Sequence, residues 1–488
     1  MFNLQSSSKP AIVFNNVTIT YDELIHKSSL LAFKISSYVK QGTIVIQIIH
    51  KSIEMIIGIV AIHLLGAIYC PFHPKDPLDR LQNIIKLTDK PFILSHSNYK
   101  NTIQTSSTIL YIDEELNTEN DKSFSDDEQE IPNYPPIEQV DKSDCAYLIS
   151  TSGSTGIPKL VSIEWNSIFN LMNGMTNIIG WNQDEKVLQL ARCSFDAQIS
   201  EIYITLLLGG TIIMPFEDWN YSLSDLYNMI CNEQVTSIFL VPSLVNMLEK
   251  STRKIRDTCL NVVKTVIIGG EAVYPDIIKT LNILFPIARI IVAYGPTETC
   301  VYATFFDTTG YSFKDKWMPL GHPLPGYEIK IEQGELHIYG KGVMKEYINN
   351  KEQTQKALIY LENGDKGYRT GDLVRLENGV LHFEGRIDFQ VKCNGQRLEL
   401  GEIESTLNNY IDISKSTVLK KGEDLIAYII LKDGIEQSSL LTRKIRNHCK
   451  ESLPTYMVPL RWMYVTEFPL TTSGKIDRKA FPEPELDF

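Results

Sequence analysis

What this chain lacks narrows the field before anything it contains. There is no basic excess: 47 Lys and Arg stand against 59 Asp and Glu, a net charge of -12 over 488 residues. A phosphate-binding surface normally shows as a surplus of Lys and Arg, so nucleic acid is not expected as the main partner. There is no CxxC pair, and no histidines stand at zinc-finger spacing near the eight cysteines, Cys70, Cys145, Cys193, Cys231, Cys259, Cys300, Cys393 and Cys449. Buried thiols in a reducing compartment are expected instead. The opening "MFNLQSSSKP" has no basic region followed by an apolar core, so no secretory leader is expected and the cytoplasm is the expected location. No clean apolar run reaches the roughly 20 residues of a membrane span. The nearest, "IEMIIGIVAIHLLGAIYC" from Ile53 to Cys70, is interrupted by Glu54 and His63 and reads as a buried core helix.

What is present is ordinary soluble usage, 43% hydrophobic and 22% charged, in a chain long enough for more than one folded unit. Short β-rich runs, "TIVIQII", "PFILS", "TSIFLV", "TVIIGG" and "RIIVAYG", alternate with longer helix-like stretches. That rhythm predicts an α/β fold with largely parallel sheets, whose ligands sit at the carboxyl ends of the strands. The acidic run "NTENDKSFSDDEQEIPNYPP" from Asn117 reads as a solvated loop before the strand "CAYLIST". After "GELHIYG" and "GVLHFEGR" the pattern turns to hairpins and then to mixed elements. The reading places a large domain over 1–387 and a small α+β C-terminal domain over 388–488, with "GRIDFQVKCNG" at the boundary.

The strand "AYLIS" runs into "TSGSTGIPK", Thr151 to Lys159. Small residues let a backbone approach a ligand, while Ser and Thr hydroxyls and exposed N–H groups donate to phosphate oxygens. It is not a Walker A loop, because Ile157 and Pro158 separate Gly156 from Lys159. Plain turn chemistry would explain such a loop by itself. Five further blocks follow in order: "FDAQISE" (Phe195 to Glu201), "AYGPTET" (Ala293 to Thr299), "YRTGDLVR" (Tyr368 to Arg375), "GRIDFQVKCNGQRLELGEIE" (Gly385 to Glu404) and "TTSGKIDRKAF" (Thr471 to Phe481). With them the chain, from about Thr20 to Phe481, resembles the adenylate-forming superfamily. Within it the likeness is to the amino-acid adenylation domains of nonribosomal peptide synthetases and to D-alanine carrier-protein ligases.

The resemblance implies attack of a substrate carboxylate on the α-phosphorus of ATP, with charge stabilisation as the catalytic demand. It implies that Thr151, Ser152, Gly153, Ser154, Thr155, Gly156 and Lys159 cradle the β and γ phosphates. Gly270 and Glu271 join the nucleotide site, Tyr294 lies beside the adenine, and Thr297 is near the α-phosphate. Glu298 is the expected Mg²⁺ carboxylate, a hard oxygen ligand for a cation that also binds phosphate and water. Asp372 is expected to accept from both ribose hydroxyls, with Arg386 assisting. Lys475 resembles the lysine that bridges the substrate carboxylate and the α-phosphate; taken alone it reads as a solvated lysine on a polar tail. Asp388 resembles a hinge about which the small domain first closes and then turns, so that a phosphopantetheine thiol on a carrier protein reaches the adenylate past Lys392 and Gly395.

Asp196 is implied to pair with the α-ammonium of an amino acid, and reads equally well as a helix N-cap. The remaining pocket positions carried over are Ala197, Ser200, Leu240, Ile267, Gly269, Ala293, Val301 and Tyr302. None is charged, which predicts a neutral side chain, apolar or aromatic, while Tyr302 filling the space would leave room only for something like alanine. Leu160 stands where a glycine usually follows the loop lysine, and "CPFHP" replaces the family's apolar-proline-apolar-Asp-Pro. No carrier domain follows Lys475, so a free-standing enzyme loading a separate carrier is expected, with an excised synthetase domain as the alternative. Beside the amino-acid ligase stand a carboxylate-CoA ligase, in which Asp196 would be structural, and an idle nucleotide-binding relative.

Overall fold

The computed structural model describes residues 4–117, 141–153, 158–215, 223–251, 260–312, 315–388, 390–393, 395–422, 424–470, 476–478 and 480–482. The expected acidic loop lies outside them from residue 118 onward. Contacts divide the chain into two compact units. The first gathers Met1–Pro74, Ile85–Ser150 and Leu160–Ile387; the second gathers Lys75–Ile84, Thr151–Lys159 and Asp388–Phe488.

The first unit holds three sheets. In the nine-stranded sheet, Ser237–Leu240, Thr265–Gly269 and Arg289–Tyr294 lie side by side and parallel, with Lys186–Leu188, Thr211–Met214 and Pro10–Phe14 continuing the parallel run. All five residues of Thr265–Gly269, "TVIIG", are buried, as befits a parallel strand covered on both faces. The antiparallel strand Thr304–Asp307 pairs along Arg289–Tyr294. A seven-stranded sheet is built around parallel Ile44–Ile48, Ile68–Pro71, Phe92–Ser95 and Cys145–Thr151. The third sheet, five strands from Tyr327 to Arg386, is antiparallel throughout, so the parallel reading holds for the two large sheets and not for this one.

Local chemistry explains where the helices begin. Thr20 and Glu23 form a reciprocal capping box at the head of Tyr21–Ile35, Thr20 N donating to Glu23 Oε2 at 2.8 Å and Glu23 N to Thr20 Oγ1 at 3.2 Å. Ser52 caps Ile53–Leu64 through Met55 N. That helix corrects the expectation of one helix from Ile53 to Cys70. Gly66 takes φ +63°, a left-handed turn that stops the helix, and the β-favouring "IYCP" that follows becomes a strand.

Two apolar clusters lie on opposite faces of the nine-stranded sheet: Ile267, Ile291 and Ala293 belong to one, Leu240, Val266, Ile268 and Val292 to the other. The second unit is α+β. Strands Ile413–Lys421, Asp424–Leu431 and Arg461–Tyr464 form a sheet, and helices Leu400–Asn408 and Ser439–Ser452 supply Leu400, Ile403, Leu407, Leu441, Ile445 and Cys449 to its core. No helix among the described residues is long and apolar enough to cross a membrane.

Candidate active site

Strands Lys366–Glu377 and Val380–Arg386 pair antiparallel with Asp372 directly opposite Arg386, so the register itself delivers a carboxylate to a guanidinium. Arg386 donates to Asp372 Oδ1 through one nitrogen and to Thr370 O at 3.2 Å through another. From the neighbouring sheet, at the carboxyl end of Arg289–Tyr294, the Tyr294 hydroxyl donates to Asp372 Oδ2 at 2.5 Å. Burial pushes the Tyr294 phenol well above its ordinary range, which keeps it a donor. Each carboxylate oxygen of Asp372 carries a second acceptor site, so the anchored group retains capacity for a vicinal diol.

The next residues of the same segment make a tight turn. Glu298, fully buried, accepts from the Tyr347 hydroxyl at 2.7 Å, and its backbone carbonyl accepts from Met344 N at 2.8 Å. Thr297 beside it is half-buried. A lone, oriented carboxylate suits Mg²⁺, which keeps several waters and takes its remaining ligands from substrate phosphate. The chain then enters the left-handed region at two successive non-glycine residues, Cys300 at φ +57° and Val301 at +70°. A β-branched residue there is an outlier that only its surroundings can impose. The surroundings are specific: a side chain on Gly295 would come within 2.5 Å of Val301 O, so the two backbone segments are in contact.

Asp196 lies on the loop between strand Lys186–Leu188 and the π-helical segment Ile199–Ile204. Ala197 and Gln198 are already helical ahead of that segment, so Asp196 stands immediately before the helix, where its sequence context allowed a cap, and its backbone carbonyl accepts from Ile199 N at 2.8 Å. Its charge adds to the burial that raises Tyr147, Cys300 and Tyr302, so it lies within electrostatic reach of all three. Ser200 Oγ donates to Ala197 O at 2.8 Å and therefore accepts from the Tyr302 hydroxyl at 3.1 Å. The Tyr302 ring packs against Phe239 and Phe305, at 5.9 and 5.4 Å between centroids.

Ile267, Gly269 and Ala293 share one sheet face, and a side chain on Gly269 would collide with Ala293 O at 2.3 Å. Leu240, expected among them, is on the opposite face, buried with Val266 and Ile268 in the second cluster. Its neighbour Phe239 is the residue in register with Ile267 and the one that reaches Tyr302. Sequence reasoning missed Phe239, although strand alternation carried the signal: adjacent strand residues face opposite ways.

Of the remaining expected residues, Gly270 takes φ +79°, and Glu271 Oε2 accepts from Ser243 N at 3.0 Å at the head of helix Pro242–Ser251. Ser154, Thr155, Gly156 and Lys475 lie outside the described residues. Thr151 ends strand Cys145–Thr151 and Lys159 begins Lys159–Glu164, where Leu160 is fully buried. Within the second unit, Ser152 Oγ donates to Arg397 O and accepts from Glu399 N, both at 3.1 Å. Gly153 N donates to Glu402 Oε2 at 3.2 Å, and Glu402 is paired with Arg80 at 3.2 Å, both side chains nearly buried. Burial pushes the Glu402 carboxyl up, while Arg80 and the Gly153 N–H act against it. Neither Arg80 nor Glu402 was singled out from the sequence. Asp388 is exposed and accepts from Gln390 N at 3.2 Å, leading into the hairpin Gln390–Cys393/Gln396–Glu399 that carries Lys392 and spans Gly395.

This set of motifs, buried carboxylates and two units is that of an adenylate-forming protein. The chain belongs to the AMP-binding enzyme family, which matches residues 3–348, and the C-terminal domain of AMP-binding enzymes matches 402–475. Bacitracin synthase 1 of Bacillus licheniformis is 33% identical over 510 residues, covering 99% of this chain and 9% of that protein. This chain thus spans about a tenth of that relative's length. Among solved structures, an artificially fused adenylation-PCP di-domain NRPS, NpsA-ThdA from Klebsiella oxytoca, matches with TM-score 0.80 and 24% identity over 93% of this chain and 90% of that one. The Vibrio cholerae adenylation domain AlmE, in complex with glycyl-adenosine-5'-phosphate, matches with TM-score 0.81 and 22% identity over 96% and 93%. The fold is that of these adenylation domains.

Proposed function

We propose that the protein is an ATP-dependent, AMP-forming ligase that activates an amino acid and passes it to the phosphopantetheine thiol of a carrier protein. The observation that carries this reading is Asp372, buried and held by both Tyr294 and Arg386, in the same unit as Asp196, whose charge is felt by the buried Tyr147 and Tyr302. In the first step a carboxylate oxygen of the amino acid bonds to the α-phosphorus as the bond to the β-phosphate breaks, and pyrophosphate leaves. In the second the carrier's thiolate sulfur bonds to the acyl carbon, and AMP leaves with the electron pair. Residues 151–159 hold the leaving phosphates and Lys475 bridges carboxylate and α-phosphate, roles that rest on the motif resemblance. Mg²⁺, held by Glu298, would neutralise phosphate charge. Asp372 and Arg386 hold the ribose, Tyr294 borders the base, and Asp196 receives the α-ammonium.

The substrate side chain is neutral in this reading. The Ser200 and Tyr302 hydroxyls satisfy each other, and no charged residue stands among Ala197, Phe239, Ile267, Gly269, Ala293 and Val301, so a charged side chain would be buried unpaired. Tyr302, buried and packed between Phe239 and Phe305, favours the smaller members of that class, and so keeps D-alanine loading as a second reading. Adenylation of an amino acid finds support in AlmE's glycyl-adenosine-5'-phosphate, and a carrier partner in the fused adenylation-PCP di-domain NpsA-ThdA. The test is pyrophosphate exchange into ATP for each amino acid. A response to carboxylic acids lacking an α-amino group, with none to amino acids, would favour the CoA-ligase alternative.

A further inference from the structure

The loop that carries Asp196 leaves the nine-stranded sheet after Leu188, where Gln189 N makes a last bond to Ile213 O at 2.8 Å, and the backbone groups that follow pair outside the sheet. Such groups must find other partners. Here side chains supply them. Glu201, 1% exposed, sits on the segment after the loop. Its Oε1 accepts from Leu190 N at 3.2 Å and Ala191 N at 3.3 Å, and its Oε2 accepts from Ala191 N and from Gln189 Nε2, both at 3.0 Å.

Lys51 approaches from the seven-stranded sheet, one residue before the Ser52 cap. Its ammonium donates to Gln189 O at 2.9 Å and Leu190 O at 3.2 Å. The N–H groups of Leu190 and Ala191 thus meet a carboxylate while the carbonyls of Gln189 and Leu190 meet an ammonium, and the Gln189 amide closes the stretch by donating to Ala191 O at 2.6 Å. Burial pushes the Glu201 carboxyl up to about 7, and Lys51 is the largest influence acting against it, so the two charges are in electrical contact. Further along, the Gln198 amide donates to Cys193 O and Ile199 N donates to Asp196 O at 2.8 Å. Asp196 therefore hangs between two anchored points, of which the 189–191 anchor is ionic.

We propose that Lys51 and Glu201 are positioning residues of the amino-acid site, a charge clamp that fixes the 189–191 backbone and through it the Asp196 carboxylate. This rests on Asp196 as the amino-group partner. It assigns a role to two ionic groups that the nucleotide site does not use and that lie in separate sheets' connections, joined only by folding.

The test uses the full chain, ATP and the amino acid that gives the strongest pyrophosphate exchange in a panel of the twenty plus D-alanine. Glu201→Gln, Lys51→Met, Lys51→Arg, the Glu201→Gln/Lys51→Met double variant and Asp196→Ala are compared. Both single neutralisations should raise the amino-acid KM by roughly 10- to 100-fold, as misplacement of a binding group does. The ATP KM should stay within about twofold, and Lys51→Arg should behave as wild type. The double variant should be no worse than the poorer single, since residues of one clamp are not additive. Unchanged amino-acid KM in the single variants, with Asp196→Ala inactive, would overturn the clamp and leave the functional reading intact. Exchange that survives Asp196→Ala would instead remove the reading beneath it. If Glu201→Gln does not fold, Lys51→Met, whose side chain is only half-buried, decides by the same KM comparison.

Discussion

Two corners of the first unit solve the problem of placing a carboxylate in different ways. Asp372 sits within a strand, and its partner Arg386 is delivered by antiparallel register. Asp196 sits on an irregular loop whose backbone is held by side chains arriving from elsewhere. The first device is rigid because the ladder that forms it is the sheet itself. The second is assembled from Lys51, Glu201, Gln189 and Gln198, so its precision depends on each of them. Under the proposed function, a scaffold that keeps the nucleoside corner in regular structure and the acid pocket on a clamped loop can vary the pocket without disturbing the nucleotide.

The largest effect is expected at the strand-borne corner. Asp372→Ala leaves Arg386 and Tyr294 facing an empty position, and removal of one member of a buried pair costs about 3–5 kcal/mol. Both a lower melting temperature and loss of ATP binding by calorimetry are expected; retention of ATP affinity would show that the corner is structural only. Next comes Asp196→Asn, expected to raise the amino-acid KM by roughly 100-fold, the order seen when one partner of a buried charge pair is removed, with ATP binding held. If ATP binding fell in parallel, the two corners would not be separable.

Smaller still is Tyr302→Phe, which takes from Ser200 its hydroxyl partner and should lower stability by about 1 kcal/mol, read from denaturant midpoints. Tyr302→Ala should move the exchange preference toward larger neutral side chains, and an unaltered preference would remove Tyr302 from the pocket wall.

The loop side should also carry a pH signature. His63, buried, bonds the Tyr203 hydroxyl at 2.7 Å on the segment after Asp196, and burial holds its imidazole down from 6.5 to about 3. The unfolded chain takes up that proton below 6.5 and the folded chain does not, so stability is lost as pH falls from 6.5 toward 3. His63→Gln should flatten the melting temperature over that window; an unchanged slope would locate the acid sensitivity elsewhere.

How much of this was legible in the sequence follows from the same contrast. Strand runs such as "TVIIGG" and "RIIVAYG" announce themselves because β-branched residues cluster there, and the motif blocks fix Glu298, Asp372 and Arg386 by their local context. Phe239 and Leu240 were confused because the choice between them depends on which face of the strand meets Ile267, a fact of pairing rather than composition. The helix stop at Gly66 was hidden because the run stays apolar on both sides of it. Lys51 and Glu201 are 150 positions apart in the chain, and nothing local to either says that they hold the same short stretch.

The central claim, that this chain adenylates an amino acid, is tested most directly by pyrophosphate exchange into ATP across the twenty amino acids and D-alanine, with wild type and Lys475→Ala. The account predicts one dominant response from a neutral amino acid, lost in the variant. Dominance of an acidic or basic amino acid would contradict the reading of the pocket, and no exchange with any of them while ATP still binds would contradict the claim itself.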